Sequence, residues 1–217
     1  MIKNIFNKAG ALEFLEKYQA RVGFVVPKFF SISKKEYQLN KKNFLKKVNI
    51  SFKNKKIILR SSSLNEDTKN FSNAGKFKSY GNIDAKDQKN IIVFCDKIIK
   101  DFRNKNDHIL IQEFIFKPKL SGVIFSRDIN NNSPYCTINY DLSGKTNLIT
   151  AGKKNPTMKN LVIFRNKLKN YNFFGIKLKI LKAIEKIFDN DRLDIEFCIK
   201  GKIFYLLQCR PLKPLPL

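Results

Sequence analysis

The chain has 217 residues, of which 43% are hydrophobic and 20 are Phe, enough apolar material to exclude a wholly disordered polypeptide. Its formal net charge is +25, from 43 Lys and Arg against 18 Asp and Glu, an imbalance typical of proteins that bind polyanions. The lysines are spread over almost every segment together with abundant Asn, Ile and Phe, which an A+T-rich genome also produces, so charge alone assigns no function.

The first third of the chain predicts helices before and after a short strand. Apolar residues recur at three- and four-residue spacing over 8–20, which indicates a helix. "VGFVVPKFFSIS" predicts a short strand, with Pro27 holding the residue before it in an extended conformation. The lysine-rich stretch up to about Asn54 predicts helix and loop.

The middle of the chain predicts a buried strand, a polar loop and an amphipathic helix. "KKIILRSSS" is a strand that ends abruptly in Arg60 and three serines, and residues 64–76 are polar and loop-like. Between Asp87 and Phe102, apolar residues fall on one face of a helix.

The last half is rich in strands. "HILIQEFIF", "SGVIFSRD", "YCTINYD" and "LVIFRN" predict four strands, residues 177–188 predict a further amphipathic helix, and a hairpin closes the chain. The whole pattern predicts an α+β fold with mostly antiparallel sheets and packing helices, in two lobes of approximately 1–110 and 111–217.

Several features bear on the cellular compartment. The sequence contains no run of about 18 uncharged apolar residues, so it predicts no membrane span. The amphipathic N-terminus carries Glu13 and Glu16, unlike a signal peptide. The four cysteines lack CxxC spacing, which predicts buried, reduced thiols in a cytoplasmic protein.

The closing hairpin, "LDIEFCIKGKIFYLLQCRPL", carries polar residues where an apolar hairpin would have Val or Thr. If its turn spans 200–202, Glu196 faces Leu206, and Gln208 is its diagonal neighbour at about 7–8 Å. A carboxylate and an amide oxygen there suit Mg²⁺, and Arg210 on the same face suits a phosphate. The alternative is an exposed polar face on an edge hairpin.

This hairpin resembles the end of the ATP-grasp nucleotide-binding domain of the phosphoenolpyruvate synthase and pyruvate phosphate dikinase family, which includes rifampin phosphotransferase. The D-I-E and L-Q-x-R-P motifs of that family match Glu196, Gln208 and Arg210. The resemblance implies a single ATP-grasp domain over 1–217, with Glu196 and Gln208 as ligands of the metal on ATP and Arg210 as a phosphate contact.

Two further segments resemble the same family in the same order. "LRSSSLNEDTKNFSNAGKFKSYGNI" implies that Arg60 holds phosphate and that the loop from Gly75 to Ser79 folds over the triphosphate. Glycine suits such a loop because it lets backbone N–H groups approach phosphate closely. "NKAGALEFLEKY" resembles the opening of the family, with Lys8 as a phosphate contact, although Asn7 replaces the usual glycine.

The segment "ILIQEFIF" resembles the strand that leads into the family's adenine-binding hinge, which implies that Gln112, Glu113 and Ile115 lie at the base. "SGVIFSRD" matches a family strand whose Arg127 orders either the phosphates or the fold, the latter through an ion pair with Asp128 or a neighbour.

One loop departs from the family. Many members have a G-L-G-E loop where residues 139–152 read "NYDLSGKTNLITAG", in which Gly144 and Thr146 remain candidates to cradle phosphate. Its "SGKT" lacks the spacing of a Walker motif. The atypical loop points toward the L-glutamine kinase branch, which supplies phosphoramidate for capsule sugars.

The resemblance implies an ATP-dependent phosphotransferase that uses Mg²⁺. The β-phosphate passes to a histidine on a swivelling domain, releasing AMP and phosphate, and then to pyruvate, an antibiotic hydroxyl or an amide on an acceptor-binding domain. His108 has no glycine-rich surroundings, so it is predicted to be a half-buried strand-edge histidine rather than the carrier. The swivelling and acceptor domains are expected elsewhere in a longer chain or on a separate subunit.

Two other functions stay open. A basic nucleic-acid-binding module needs lysines on one face with exposed aromatic side chains, whereas the phenylalanines here follow core spacing. A non-catalytic, regulatory nucleotide-binding domain has less need of the metal pair, Glu196 and Gln208.

Overall fold

The structure is a computed structural model that describes residues 7–63, 79–104, 107–144 and 157–212. Its α-helices are α1 (Lys8–Glu16), α2 (Gln19–Val22), α3 (Lys34–Leu39), α4 (Lys41–Ser51), α5 (Gln88–Ile99) and α6 (Lys179–Phe188). Its strands are β1 (Phe29–Ser33), β2 (Lys56–Ser62), β3 (Ser79–Asp84), β4 (His108–Glu113), β5 (Leu120–Phe125), β6 (Tyr135–Asp141), β7 (Met158–Phe164), β8 (Asn172–Phe173), β9 (Ile176–Lys177), β10 (Leu193–Lys200) and β11 (Ile203–Pro211).

The chain forms two compact units. Residues 7–9 and 27–116 make one, here called the four-stranded unit, and residues 10–26 join the chain from Lys117 onward in the other, here called the five-stranded unit.

The four-stranded unit is an antiparallel sheet in the order β1-β4-β2-β3. Alternate residues of the central strands, such as Ile57 and Ile111, are fully buried in a core shared with α4 and α5. Local signals fix where the helices begin: Ser33 and Glu36 form a capping box at α3, and the Asp87 carboxylate accepts a hydrogen bond from Asn90 N at α5. The apolar faces of the helices are therefore buried, and side-chain caps pair with backbone N–H groups at the starts of α3 and α5.

The five-stranded unit is an antiparallel sheet in the order β11-β10-β5-β6-β7. Alternate residues of β10 from Leu193 to Ile199 are fully buried, as are Leu181 and Ile184 of α6. A buried ion pair joins Arg165, in the short 3₁₀ helix after β7, to Glu185 of α6 at 2.7 Å. Because successive side chains of a strand point to opposite faces, Asp194 and Glu196 lie on the face opposite the core.

The α+β architecture with antiparallel sheets is confirmed, and so are the helix of residues 87–102, the four strands of the last half and the closing hairpin. The predicted helix over 8–20 is instead two helices, since α1 ends at Glu16 and α2 begins at Gln19. Strand β3 and the two-residue strands β8 and β9 were not predicted.

Each of the four cysteines is a free, buried thiol, as expected from their spacing. His108 is the half-buried first residue of β4, which confirms its predicted place at a strand edge. Among the described residues, the longest helix is α5 at 12 residues, and no helix has the length and apolar character needed to cross a membrane.

Candidate functional site

The face of the β10–β11 hairpin opposite the core carries four polar side chains. Glu196 pairs directly with Gln208, and Asp194 pairs directly with Arg210. Because side chains of paired residues and of residues two apart in a strand share a face, all four lie on the same side of the sheet. The structure therefore brings together the three hairpin residues predicted from the sequence.

The register of this hairpin corrects the sequence prediction. Lys200 pairs with Ile203, so the turn contains only Gly201 and Lys202, and Gly201 has the positive φ of 61° that suits the first turn position of a type II′ hairpin. The register then shifts between Glu196 and Phe197. Glu196 therefore faces Gln208 directly rather than Leu206.

The shift is a β-bulge that leaves Leu207 as the extra residue of β11, since Leu206 pairs with Phe197 and Gln208 with Glu196. Without the bulge, continuing the turn register would pair Gln208 with Ile195, whose side chain lies in the core. One additional residue thus moves Gln208 and Arg210 onto the face of Glu196.

Asp194 also lies on this face, and its ion pair with Arg210 was not predicted from the sequence. Nε and Nη2 of Arg210 both contact Oδ2 of Asp194 at 2.9 Å, so the carboxylate orients the guanidinium. The pairing follows from strand alternation, because Asp194 stands two residues before Glu196 as Arg210 stands two after Gln208. Gln208 itself is 3% exposed, which holds its amide in place.

The start of β10 is fixed by Ser126, the residue after β5. Ser126 Oγ donates to the carbonyl of Asp191 at 2.7 Å and accepts from the backbone N–H of Leu193 at 2.6 Å. Ser126 N also donates to Leu193 O at 2.9 Å. These bonds anchor the strand immediately before Asp194.

Arg127 is a structural residue of this same corner. Its Nε and Nη2 donate to Oδ2 of Asp191 at 2.8 and 2.6 Å, and Nη1 donates to the carbonyl of Asn132. The pKa of Asp191 is lowered, chiefly because Arg127 hydrogen-bonds to its carboxylate. Of the two roles weighed for Arg127, the ion pair is therefore present, with Asp191 rather than Asp128.

The four-stranded unit holds the other predicted cations. Arg60 lies in β2 with 7% exposure, opposite Leu110 of β4 and Ser79 of β3. Lys8 Nζ donates to the carbonyl of Ser61, the next residue, at 3.2 Å. Lys8, one predicted phosphate contact, therefore lies beside the part of β2 that contains the other, Arg60.

The backbone also ties the start of α1 to that stretch. Ala9 N donates to Ser62 Oγ at 3.1 Å, and this bond is buried. Ser61 and Ser62 are therefore structural partners of α1 as well as members of a polar strand end. Ser79 opens β3, whereas Gly75 lies outside the described residues.

The predicted base-binding residues lie at the end of β4. Gln112 is 1% exposed and Ile115 is 8% exposed, so both contribute to packing. The Glu113 carboxylate instead forms an ion pair with Lys55 at 2.7 Å. The atypical loop after β6 is described only as far as Gly144, which has a φ of 75°, and its Thr146 lies outside the described residues.

The donors on the hairpin fit a hard divalent cation that takes few protein ligands. Glu196 supplies a carboxylate and Gln208 an amide oxygen from directly opposed positions. Magnesium usually keeps waters and substrate phosphates as its other ligands. Among the described residues, no cluster of three or more His, Cys, Asp or Glu side chains suited to a metal occurs.

Comparisons with known proteins identify the fold. No protein-family profile and no curated protein sequence matches the chain. The solved structure of D-alanine–D-alanine ligase from Bacillus anthracis complexed with ATP is 14% identical, with a TM-score of 0.50, over 95% of this chain and 54% of the ligase. The macrocyclase MdnC from Microcystis aeruginosa MRC, bound with precursor peptide MdnA, is 13% identical, with a TM-score of 0.47, over 95% and 54%.

The chain spans about half the length of these solved structures. Its antiparallel sheets and packing helices, together with the likeness to the ATP-bound ligase structure, show an ATP-grasp fold. This confirms the fold that the sequence motifs predicted.

Proposed function

We propose that this chain binds ATP with Mg²⁺ and positions the nucleotide for phosphoryl transfer. The observation that carries the proposal is the direct pairing of Glu196 with Gln208 on the polar face of the hairpin. The ATP-grasp fold, and the presence of ATP in one of the similar solved structures, support the choice of nucleotide.

Each named side chain has a role that suits its chemistry. Glu196 and Gln208 hold the cation, which neutralises phosphate charge as it develops. Arg210, oriented by Asp194, offers N–H donors to phosphate oxygens. Lys8 and Arg60 add positive charge, so catalysis rests on positioning and electrostatics.

The finer proposal concerns the fate of the phosphate. From the D-I-E and L-Q-x-R-P motifs, we propose that the β-phosphate goes to a histidine on a swivelling partner domain and then to a small acceptor such as pyruvate or the amide of L-glutamine. Gly75 and Ser79 are proposed to contact the phosphates, and Gln112, Glu113 and Ile115 the base. The competing reaction is a ligase-type transfer of the γ-phosphate to a carboxylate.

Phosphorus NMR of the nucleotide products separates the two reactions. AMP with orthophosphate supports the histidine relay, whereas ADP supports the ligase-type transfer. Nucleotide binding without any turnover, when the swivelling and acceptor domains are supplied, supports a regulatory domain.

The binding proposal is tested by calorimetric titration with ATP, with and without Mg²⁺, on the native chain and on Glu196→Ala. We expect one nucleotide per chain, and the substitution should weaken binding by about tenfold or more only when Mg²⁺ is present. Glu16→Ala, an exposed glutamate of α1, is the matched control and should bind as the native chain does.

A competing outcome would redirect the proposal to nucleic acid. If ATP does not bind but a random oligonucleotide does, with a steep dependence on salt, the net charge of +25 is the functional feature. If Glu196→Ala and the native chain bind ATP equally well in the presence of Mg²⁺, Glu196 and Gln208 do not form the metal site.

A further inference from the structure

Strand β7 forms one edge of the five-stranded sheet and has an outer row of backbone groups. Arg165 N donates to Pro134 O at the start of the β6–β7 ladder, so this is a hydrogen-bonded pair. Hydrogen-bonded pairs alternate along an antiparallel ladder. The N–H and C=O groups of the intervening residues, from Met158 to Phe164 in steps of two, therefore point away from β6.

The two edges of this sheet differ. At the β11 edge, Val25 N donates to Phe204 O and Leu206 N donates to Val25 O, both at 2.9 Å, so an additional stretch of chain covers the strand. At the β7 edge, the described ranges contain no strand that pairs with the outer row.

Strand β7 lacks two of the features that usually protect an edge, although it carries the exposed Lys159. Its seven residues pair in regular register with β6, with neither a proline nor a bulge. Val162 is 56% exposed, Met158 44% and Phe164 42%, and the ring of Phe164 lies 5.4 Å from that of Tyr135, itself 45% exposed. An edge with a regular register and these exposed apolar side chains suits a partner strand.

Basic charge next to the edge selects the partner. Lys159 within β7 and Lys167 in the 3₁₀ helix directly after it are both exposed. The acidic side chains beside Arg165 are already engaged in ion pairs, Glu185 with Arg165 and Asp191 with Arg127. A second copy of this chain would bring another +25 to the contact, so the charge favours an acidic strand.

We propose that the outer edge of β7 binds an extended acidic segment of another polypeptide by β-strand addition. Backbone hydrogen bonds to the outer row of β7 supply affinity, and alternate apolar side chains of the segment pack on Val162 and Phe164. Carboxylates of the segment meet Lys159 and Lys167. The inference goes beyond the nucleotide site and does not depend on it.

The probe is a short acetylated peptide that alternates glutamate with valine, and its binding is followed by fluorescence anisotropy and by hydrogen exchange. In the free protein the amides of Val162 and Phe164 should exchange quickly, and peptide binding should slow them. The same peptide with lysine in place of glutamate, or with methylated alternate backbone amides, should not bind.

Val162→Pro is the decisive variant. It removes an outward N–H while the β6–β7 ladder retains its hydrogen bonds, and edge strands tolerate proline at such positions. We expect peptide binding to weaken by about tenfold or more, with native ATP binding and native circular dichroism. Val162→Thr, which keeps the N–H, should bind the peptide; if the proline variant does not fold, Val162→Thr and the methylated peptide still test the inference.

Charge variants complete the test. Lys159→Glu and Lys167→Glu should each weaken the peptide about two- to fivefold, less so at high salt, and Lys53→Glu, exposed in the four-stranded unit, should not. Slow exchange of the Val162 and Phe164 amides in the free protein would overturn the inference, as would unchanged peptide binding by a folded Val162→Pro. Binding of a uridine oligonucleotide that depends on the same lysines and ignores Val162→Pro, with no peptide binding, would also overturn it.

Discussion

Arg210 and Asp194 face each other across the hairpin, and two nitrogens of the guanidinium contact a single carboxylate oxygen, each at 2.9 Å. The Asp194 side chain is 12% exposed and the Arg210 side chain 38%. The Asp194 carboxylate is therefore the more buried partner. It orients the guanidinium of Arg210, which stays accessible to a ligand.

Asp194→Asn should weaken Mg²⁺-dependent ATP binding about two- to tenfold, because Arg210 loses the charge that orients it. Calorimetry measures the effect. Asp189→Asn, which removes the same charge from an exposed position of the same unit, should bind ATP as the native chain does. Tighter ATP binding by Asp194→Asn would show that Asp194 competes with phosphate for Arg210.

Gln208→Leu should remove the Mg²⁺ dependence of ATP binding, because the side chain keeps its approximate size but loses its oxygen. Gln208→Glu should retain the Mg²⁺ dependence, because a carboxylate is also a magnesium ligand. Titrations at several Mg²⁺ concentrations distinguish the two variants. If the leucine variant keeps its Mg²⁺ dependence, Gln208 is not a ligand.

Glu185→Gln should destabilise the five-stranded unit by about 3 kcal/mol, because it leaves the buried Arg165 with only the more exposed carboxylate of Asp191, 3.4 Å away, as a charged partner. Both side chains are less than 10% exposed, at 8% for Arg165 and 7% for Glu185. Urea unfolding measures the loss. Lys182→Ala, which removes a partly exposed partner of the same glutamate, should cost at most about 1 kcal/mol.

The ion pair between Arg127 and Asp191 predicts a pH dependence of stability. Hydrogen bonds from Arg127 lower the pKa of Asp191 below its ordinary 3.8, so the unfolded chain takes up the proton first as pH falls. The stabilisation is complete above about pH 4 and is lost as pH falls through the lower folded pKa. The stability difference between the native chain and Asp191→Asn should shrink over that acid range; a constant difference would contradict the ion pair.

Thiol reagents should label none of the four cysteines in the folded chain at pH 8. Burial raises the pKa of Cys136 and Cys198 to about 12, and that of Cys209 well above its ordinary value, so each stays a protonated thiol. All four should react after denaturation. Labelling of the folded chain would show that a cysteine becomes exposed.

Sequence periodicity was enough to predict the helices and strands that have a strong apolar pattern. The face of α5 and the alternation of β10 both follow from core burial, which the sequence expresses directly. Strand β3, "SYGNID", has no such pattern, because only Ile83 is buried and the strand is held by its ladder with β2. Its existence depends on a partner distant in the sequence.

The functional face shows the same limit. Motif resemblance identified Glu196, Gln208 and Arg210, but their register depends on the bulge at Leu207, which no local propensity indicates. The ion pair between Asp194 and Arg210 was not predicted, because Arg210 was assigned to phosphate alone. In the same way, Arg127 was considered with its sequence neighbour Asp128, whereas its partner Asp191 lies 64 residues away.

The bulge also gives the hairpin an arithmetic signature. With a two-residue turn, opposed residues are separated by odd intervals, as Lys200 and Ile203 are, and a single extra residue makes every interval beyond it even. Glu196 and Gln208 are separated by twelve positions, and Asp194 and Arg210 by sixteen. In any sequence with this hairpin, whether the spacing is odd or even indicates whether the two polar residues share a face. A one-residue gap at this place in an alignment would therefore move Gln208 and Arg210 to the other face of the sheet rather than merely shorten a loop.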